Sequence, residues 1–291
     1  MDLSTHPAAP VIAALEPDRP VRVIVLAGRG SAGADALARR FGVTHPCLVP
    51  LAGQPLIAHV LKVAALHPSV ESLAVSIAPD AFDAVFDVLS HVPGRGIVKL
   101  VAARETEAQS IAAAAEGWGG ALVITRATHA LLTGEAVDTM IAALDGAQAA
   151  FAVIRSQNTI TAPRAALHVF ADGAYADCGL IALSSCDALG VARLLGSGGP
   201  FAGGLLRTLR VFGLLAKLLL MLRALSLSGA TTRLGDRLNL HLAAVVMDDG
   251  LPALRVDDEE TLALAEAVLE VRPSPAKSPA SCANVRGIAL S

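Results

Sequence analysis

The run Val21-Arg22-Val23-Ile24-Val25-Leu26, followed by Ala27-Gly28-Arg29-Gly30-Ser31-Ala32-Gly33, decides how this chain is read. Its β-branched, apolar first half predicts a buried strand, and its glycine-rich second half predicts a turn. Glycines at a strand end leave backbone N–H groups uncovered by side chains, so a triphosphate could be held by several amides at once. A plain tight turn into a helix accounts for the same residues. A dinucleotide fingerprint would also need an acidic residue about twenty positions on, and that residue is missing. Nor does Gly-Lys-Ser/Thr follow, so the turn is not a P-loop.

Outward from the turn the chain alternates. Apolar residues at helical spacing follow at 55–66, with Pro55 suited to a first turn. Strands are expected at 70–77, 97–101 and 121–125, and helices at 80–89, 107–116 and 134–144. Further strands are expected at 149–154, 167–170, 180–184 and 241–247, with 254–257 leading into a last helix over 258–271. Strands separated by helices of this length imply crossover connections and a mostly parallel sheet flanked by helices, an α/β Rossmann-like class. The Pro/Ala-rich residues 1–20 lack the positive start and apolar core of a signal peptide and read as a disordered leader. Residues 272–291, rich in Pro, Ser and Ala, read as a disordered tail.

The composition fits sheets buried on both faces: 54% hydrophobic, 17% charged and 3% aromatic residues in 291. A net charge of −3 argues against nucleic acid as a partner, because phosphate neutralisation on that scale needs a concentrated basic surface. Cys47, Cys178, Cys186 and Cys282 show no CxxC spacing, so a reduced, cytoplasmic chain without a zinc site is expected. Residues 205–229 break the rhythm as a Leu-rich helical segment carrying Arg207, Arg210, Lys217 and Arg223, with Ser228-Gly229 read as its stop. A membrane span would place Lys217 at its centre at a cost of about 2.5–3.5 kcal/mol, which excludes that reading. Packing on the domain, a homodimer contact or a peripheral membrane contact through 205–227 are the alternatives.

Three separated segments carry a resemblance. Leu26-Ala27-Gly28-Arg29-Gly30, Ala36-Leu37-Ala38-Arg39-Arg40-Phe41-Gly42 and Leu48-Val49-Pro50-Leu51-Ala52-Gly53-Gln54-Pro55-Leu56-Ile57 resemble the start of the nucleotidyltransferase family. The likeness continues through 122–135, 175–183 and Val256-Asp257-Asp258-Glu259-Glu260-Thr261-Leu262, and is greatest to the molybdenum-cofactor (MobA-like) branch. It implies one domain over 21–271 with the nucleotide-diphospho-sugar transferase fold. It also implies an activity: transfer of a nucleoside monophosphate from a nucleoside triphosphate, CTP or GTP, to a phosphorylated small-molecule acceptor, with release of pyrophosphate and help from Mg2+.

Carried over residue by residue, the resemblance puts Leu26, Ala27, Gly28 and Gly30 on the nucleotide, with Arg29 on phosphate and Arg39 and Arg40 as further cations on what otherwise reads as a solvated helix face. Gln109 and Ser110 fall at the base-reading position, although Thr106 and Glu107 also read as a helix cap. Asp257 matches a metal carboxylate and is, with Arg29, the expected catalytic pair; acidic residues opening a last helix are also ordinary charge placement. Asp177 and His129 fall on the acceptor side. His129 could meet a phosphate if protonated, or be a strand-end histidine with no catalytic part. Two departures stand out. The family's lysine slot reads His45-Pro46-Cys47, and Thr128 stands where its first metal aspartate belongs, a neutral and weak ligand for magnesium. Three readings follow: an active enzyme in which Asp177 or Glu105 substitutes for lost ligands, a catalytically degenerate nucleotide- or partner-binding member, and a membrane-associated member of a lipid-headgroup pathway.

Overall fold

A computed structural model describes residues 19–28, 31–94, 97–159, 167–194, 225–271 and 288–290. β1 (Val21–Leu26) leads to α1 (Ala32–Arg40), the short hairpin of β2 (Pro50–Leu51) and β3 (Gln54–Pro55), and α2 (Leu56–Leu66). β4 (Val70–Ile77), α3 (Phe82–Ser90), β5 (Ile97–Ala102), α4 (Glu107–Ala115), β6 (Ala121–Arg126) and α5 (Gly134–Ala142) continue the alternation. β7 (Ala149–Arg155), β8 (His168–Phe170) and β9 (Gly173–Leu183) follow, then α6 (Leu227–Leu238), β10 (Leu242–Met247), α7 (Glu259–Val271) and β11 (Ile288–Leu290).

The main sheet runs β10-β7-β9-β6-β1-β4-β5-β11, with β8 paired to β9. β1 is parallel to both β4 and β6, and β4 is parallel to β5. β9 is inserted antiparallel between β6 and β7. The mostly parallel sheet flanked by helices that the alternation implied is therefore present. From β1 the chain steps outward to β4 and β5, then crosses back to lay β6 on the other side of β1. That reversal opens a crevice at the C-terminal ends of β1 and β6, where open α/β sheets receive ligands.

Alternate side chains along the strands build two cores. Val23, Val25, Val75 and Val123 face α2 and α5, burying Ile57, Leu61, Val137 and Met140. Ile24, Ala74, Leu122 and Ile124 face α4, burying Ile111 and Ala114. A third cluster, including Leu37, Leu51, Leu131, Leu254 and Leu262, clamps α1 and α7 onto the loops over the strand ends. Each fully buried side chain of this size contributes about 1.5–3 kcal/mol of transfer free energy, so the loops around the crevice rest on an apolar base of their own.

Several expectations shift. The glycine turn enters α1 directly, capped by Ser31, whose Oγ accepts from the Ala34 N–H at 3.3 Å. β9 is eleven residues long rather than the short strand expected at 180–184. Ser228 and Gly229, read as a stop, stand in the first turn of α6, where Ser226 caps the helix by accepting from the Gly229 N–H. Polar residues there supply the cap that opens a helix instead of ending one. Most of the Leu-rich segment lies outside the described residues, as do the leader up to residue 18 and residues 272–287 of the tail. Within the stretch read as a tail, Ile288–Leu290 pairs parallel with β5. Among the described residues no helix is long and apolar enough to cross a membrane.

Candidate active site

At the end of β1, the Leu26 carbonyl accepts from the Ala127 N–H at 3.0 Å, which locks the glycine turn to the loop after β6. The space where a Cβ on Gly28 would lie is open, so its backbone can be approached closely. Gly33, at the start of α1, is held the other way: a Cβ there would stand 2.9 Å from the Asp257 carbonyl oxygen. The Val256 N–H donates to the Thr128 carbonyl at 2.9 Å. Residues 252–257 thus border both loops and bring Asp257 to the crevice from the far end of the chain.

The crevice is lined by Leu26, Glu107, Ile111, Arg126 and Gly179. Arg126, the last residue of β6, alternates onto the same face as Leu122 and Ile124 and meets α4 there. Its Nε and an Nη donate to the two carboxylate oxygens of Glu107 at 3.3 and 2.8 Å, a bidentate pair. Glu107 opens α4, whose N-terminus carries a reciprocal cap: Thr106 Oγ1 accepts from the Gln109 N–H, and Gln109 Oε1 accepts from the Thr106 N–H. Ser110 is buried and its Oγ accepts from the Arg104 N–H at 2.9 Å. Gln109 and Ser110 thus fix the loop before α4, and the exposed Gln109 keeps its amide NH2 as a donor.

On the opposite wall, Gly179 has φ +61, and a Cβ on it would lie 2.5 Å from His129 Nε2. The His129 ring is buried, and its Nδ1–H donates to the Pro252 carbonyl at 2.9 Å. Burial, reinforced by the positive charges of Arg126 and Arg255 and only partly offset by that hydrogen bond, lowers its pKa to about 3. His129 is therefore uncharged at neutral pH and presents no cation to a phosphate. Asp177 stands on β9 with its Oδ1 buried and without a hydrogen-bond partner among the described residues. Burial pushes its carboxyl above the ordinary range, against the pull of Arg126 and of the Gly179 N–H.

Asp257 forms an ion pair with Arg255. Asp258 serves the last helix, its Oδ1 accepting from the Thr261 N–H at 2.9 Å. Magnesium is held by one or two carboxylates together with substrate phosphates. Here the Glu107 and Asp257 carboxylates are each engaged by an arginine, and the Asp177 carboxyl favours its neutral form. Among the described residues no group of three or more His, Cys, Asp or Glu side chains could hold a metal ion. The Arg255 pair takes only Oδ2 of Asp257, so Asp257 Oδ1 is the carboxylate oxygen that would hold magnesium here, together with substrate phosphates.

Other expected residues lie apart. Arg40 pairs with Glu259 on the surface, joining α1 to α7. Glu105 is exposed. Pro46 and Cys47 are buried, with the Cys47 thiol pushed up to about 12 by burial. Arg29 and Gly30 lie outside the described residues. Sequence reasoning missed Arg126 and Arg255. The signal for Arg126 was available: in a strand whose even positions face the helix, 126 follows 122 and 124 onto the same face, at the end where parallel sheets bind ligands.

A family model for IspD, 2-C-methyl-D-erythritol 4-phosphate cytidylyltransferase, matches residues 21–173. The chain belongs to the IspD family. The match runs from β1 into β9 and so takes in the glycine turn, α4 and Arg126, while Asp177 and Asp257 lie beyond it. The expected nucleotidyltransferase superfamily is thus shown, through the IspD family and not specifically through the molybdenum-cofactor branch. Solved structures agree on the fold. A hypothetical transferase from Thermus thermophilus is 22% identical with a TM-score of 0.66, over 84% of this chain and 99% of its own. The 4-diphosphocytidyl-2C-methyl-D-erythritol synthase of Anaerococcus prevotii is 12% identical with a TM-score of 0.53, over 87% and 96%. A CMP:2-keto-3-deoxy-manno-octonic acid synthetase complexed with CTP is 13% identical with a TM-score of 0.54, over 86% and 98%. No curated protein matches the chain significantly.

Proposed function

We propose that this member of the IspD family binds CTP in the crevice between β1 and β6 and transfers CMP to a phosphorylated small-molecule acceptor. The observation that carries the reading is the meeting, at the topological switch, of the strand that leads into an approachable glycine and a charged strand end: Leu26, two residues before Gly28, is the register partner of Arg126. In the reaction, an acceptor phosphate oxygen forms a bond to the α-phosphorus of CTP. The bond from that phosphorus to the bridging oxygen breaks, and its electron pair leaves with pyrophosphate. The glycine turn receives the phosphates, and the Gln109 amide at the head of α4 donates to an acceptor on the base edge. Arg29, from the same turn, adds a phosphate contact, and the Asp177 wall faces the acceptor. The cytoplasm, where nucleoside triphosphates are made and used, is the location this reading carries.

A second reading, nucleotide binding without transfer, is favoured by one observation: among the described residues Glu107 is engaged at both oxygens by Arg126 and Asp177 is held toward its neutral form, which leaves Asp257 with one unpaired oxygen for a metal. Two measurements on the full chain separate the readings. Calorimetric titration with CTP, GTP and ATP is expected to show CTP bound most tightly, and heat from none of them at millimolar concentration would sink both readings. Pyrophosphate release is then followed with CTP and a panel of phosphorylated polyols and sugars. Release with at least one acceptor supports transfer; binding without release across the panel supports the second reading.

A further inference from the structure

We propose that the outer edge of β10 is an interface for a second copy of this chain, the two β10 strands pairing antiparallel across a twofold axis to join the sheets of two molecules. This interface is separate from the nucleotide crevice and does not depend on what binds there. The main sheet ends on β11 at one side and on β10 at the other. At the first end Ile288–Leu290 covers β5 and is itself only three residues long, which makes a short edge. At the other end, among the described residues, β10 is paired only with β7, and none of 242–247 makes a backbone hydrogen bond to any other element. Every second residue of such a strand turns its N–H and C=O away from the sheet, toward water or a further strand.

β10 lacks the features that keep strand edges apart. Leu242-Ala243-Ala244-Val245-Val246-Met247 has no charge and no proline, whereas β5 at the covered end carries Lys99. Its register with β7 runs unbroken over all six residues, so no bulge twists the edge away. Leu242 and Ala244 pack on one core, and Ala243 and Val245 on the other, so both faces of the strand are supported. These four residues are nevertheless partly exposed, and Val246 is 39% exposed. What remains open to solvent is therefore the edge.

The residues flanking the strand select the partner. An exposed histidine, His241, precedes β10, and the exposed Asp248 and Asp249 follow it. Antiparallel pairing of two copies sets His241 of each beside the Asp248–Asp249 end of the other, where an imidazole N–H can donate to a carboxylate; parallel pairing would set acid beside acid. Whether the axis passes Ala244 or Val245, an alanine of one strand falls opposite a valine of the other, a small side chain against a β-branched one. A twofold pair uses up both edges and closes the assembly at two copies. β1 and β10 run in the same direction, so the two crevices open at opposite ends of the joined sheet and neither is covered.

Sedimentation velocity of the full chain over about 1–100 µM, with amide exchange of 242–247 followed across that range, tests the proposal. The wild type is expected to form a dimer whose β10 amides gain protection as concentration rises. Val246→Lys puts a charge on the edge at an exposed position and is expected to raise the dimer dissociation constant at least about tenfold. Should that variant fail to fold, His241→Asp, exposed and outside the strand, is expected to raise it about two- to fivefold, and adding Asp248→His is expected to restore it. A monomer at every concentration, or a dimer that these substitutions leave at wild-type affinity, would overturn the proposal. A monomer whose 242–247 amides already exchange slowly would overturn it too, in favour of an edge covered by residues 195–224 of the same chain. Neither readout involves CTP, so the interface and the nucleotide reading fail separately.

Discussion

His129 and Gly179 show how two residues set one wall of the crevice. Gly179 takes a left-handed backbone, and the imidazole lies where its side chain would be. Gly179→Ala is expected to cost about 1–3 kcal/mol through backbone strain and collision with the ring, read as a fall in unfolding midpoint. The imidazole also carries a pH dependence. Its folded pKa, about 3, lies below the ordinary 6.5, so below pH 6.5 the unfolded chain binds the proton that the folded chain refuses. The stability this group supports is present above pH 6.5 and is lost as pH falls toward 3. Denaturant midpoints measured from pH 7.5 to 4 should fall, and His129→Asn should flatten that slope relative to wild type. An equal slope in the variant would mean that other groups carry the acid sensitivity. From the sequence His129 was legible as a strand-end residue near the site. Its burial and neutral state were not, because both depend on Pro252, which arrives from 123 residues away.

At the scale of elements, α4 joins the sheet to the base-reading loop through its cap. Thr106→Ala removes one half of the reciprocal cap and should cost about 1 kcal/mol of stability. Because the same cap fixes Gln109, CTP affinity should fall as well, and a stability loss with unchanged affinity would argue against Gln109 at the base. The helix start at 107 was legible because a cap is a local pattern, and the strands of β1, β4, β5, β6 and β7 were legible because apolar, largely β-branched residues dominate each run despite polar breaks such as Arg22, Glu71 and Lys99. α1 was legible only as a solvated helix face at Arg39 and Arg40, without bounds, because its nine residues carry Leu37 as the one large apolar side chain. The first half of β9 was missed because Asp177 and Gly179 interrupt its apolar pattern, and a polar residue facing a crevice reads like a loop residue. α6 was missed because its opening serines and glycine resemble a stop.

In the molecule as a whole, the order of the strands creates the site. Reversal of the chain after β5 leaves β1 and β6 adjacent with their C-terminal ends uncovered, and a third apolar cluster clamps the surrounding loops. Sheet class and parallel character were legible from alternation alone. The crevice itself was legible through its glycine turn, while its charge balance was not: the pairs Arg126–Glu107 and Arg255–Asp257 join neighbours in space whose separation in sequence or identity as site residues no motif announces. The account stands on the claim that this switch point is where nucleotide binds. Amide hydrogen exchange of the full chain with and without CTP at saturating concentration tests it most directly. Added protection is predicted at 26–28, 104–110, 126–129 and 177–179, with β10 and α6 unchanged; protection confined to other segments, with these four unaltered, would contradict it.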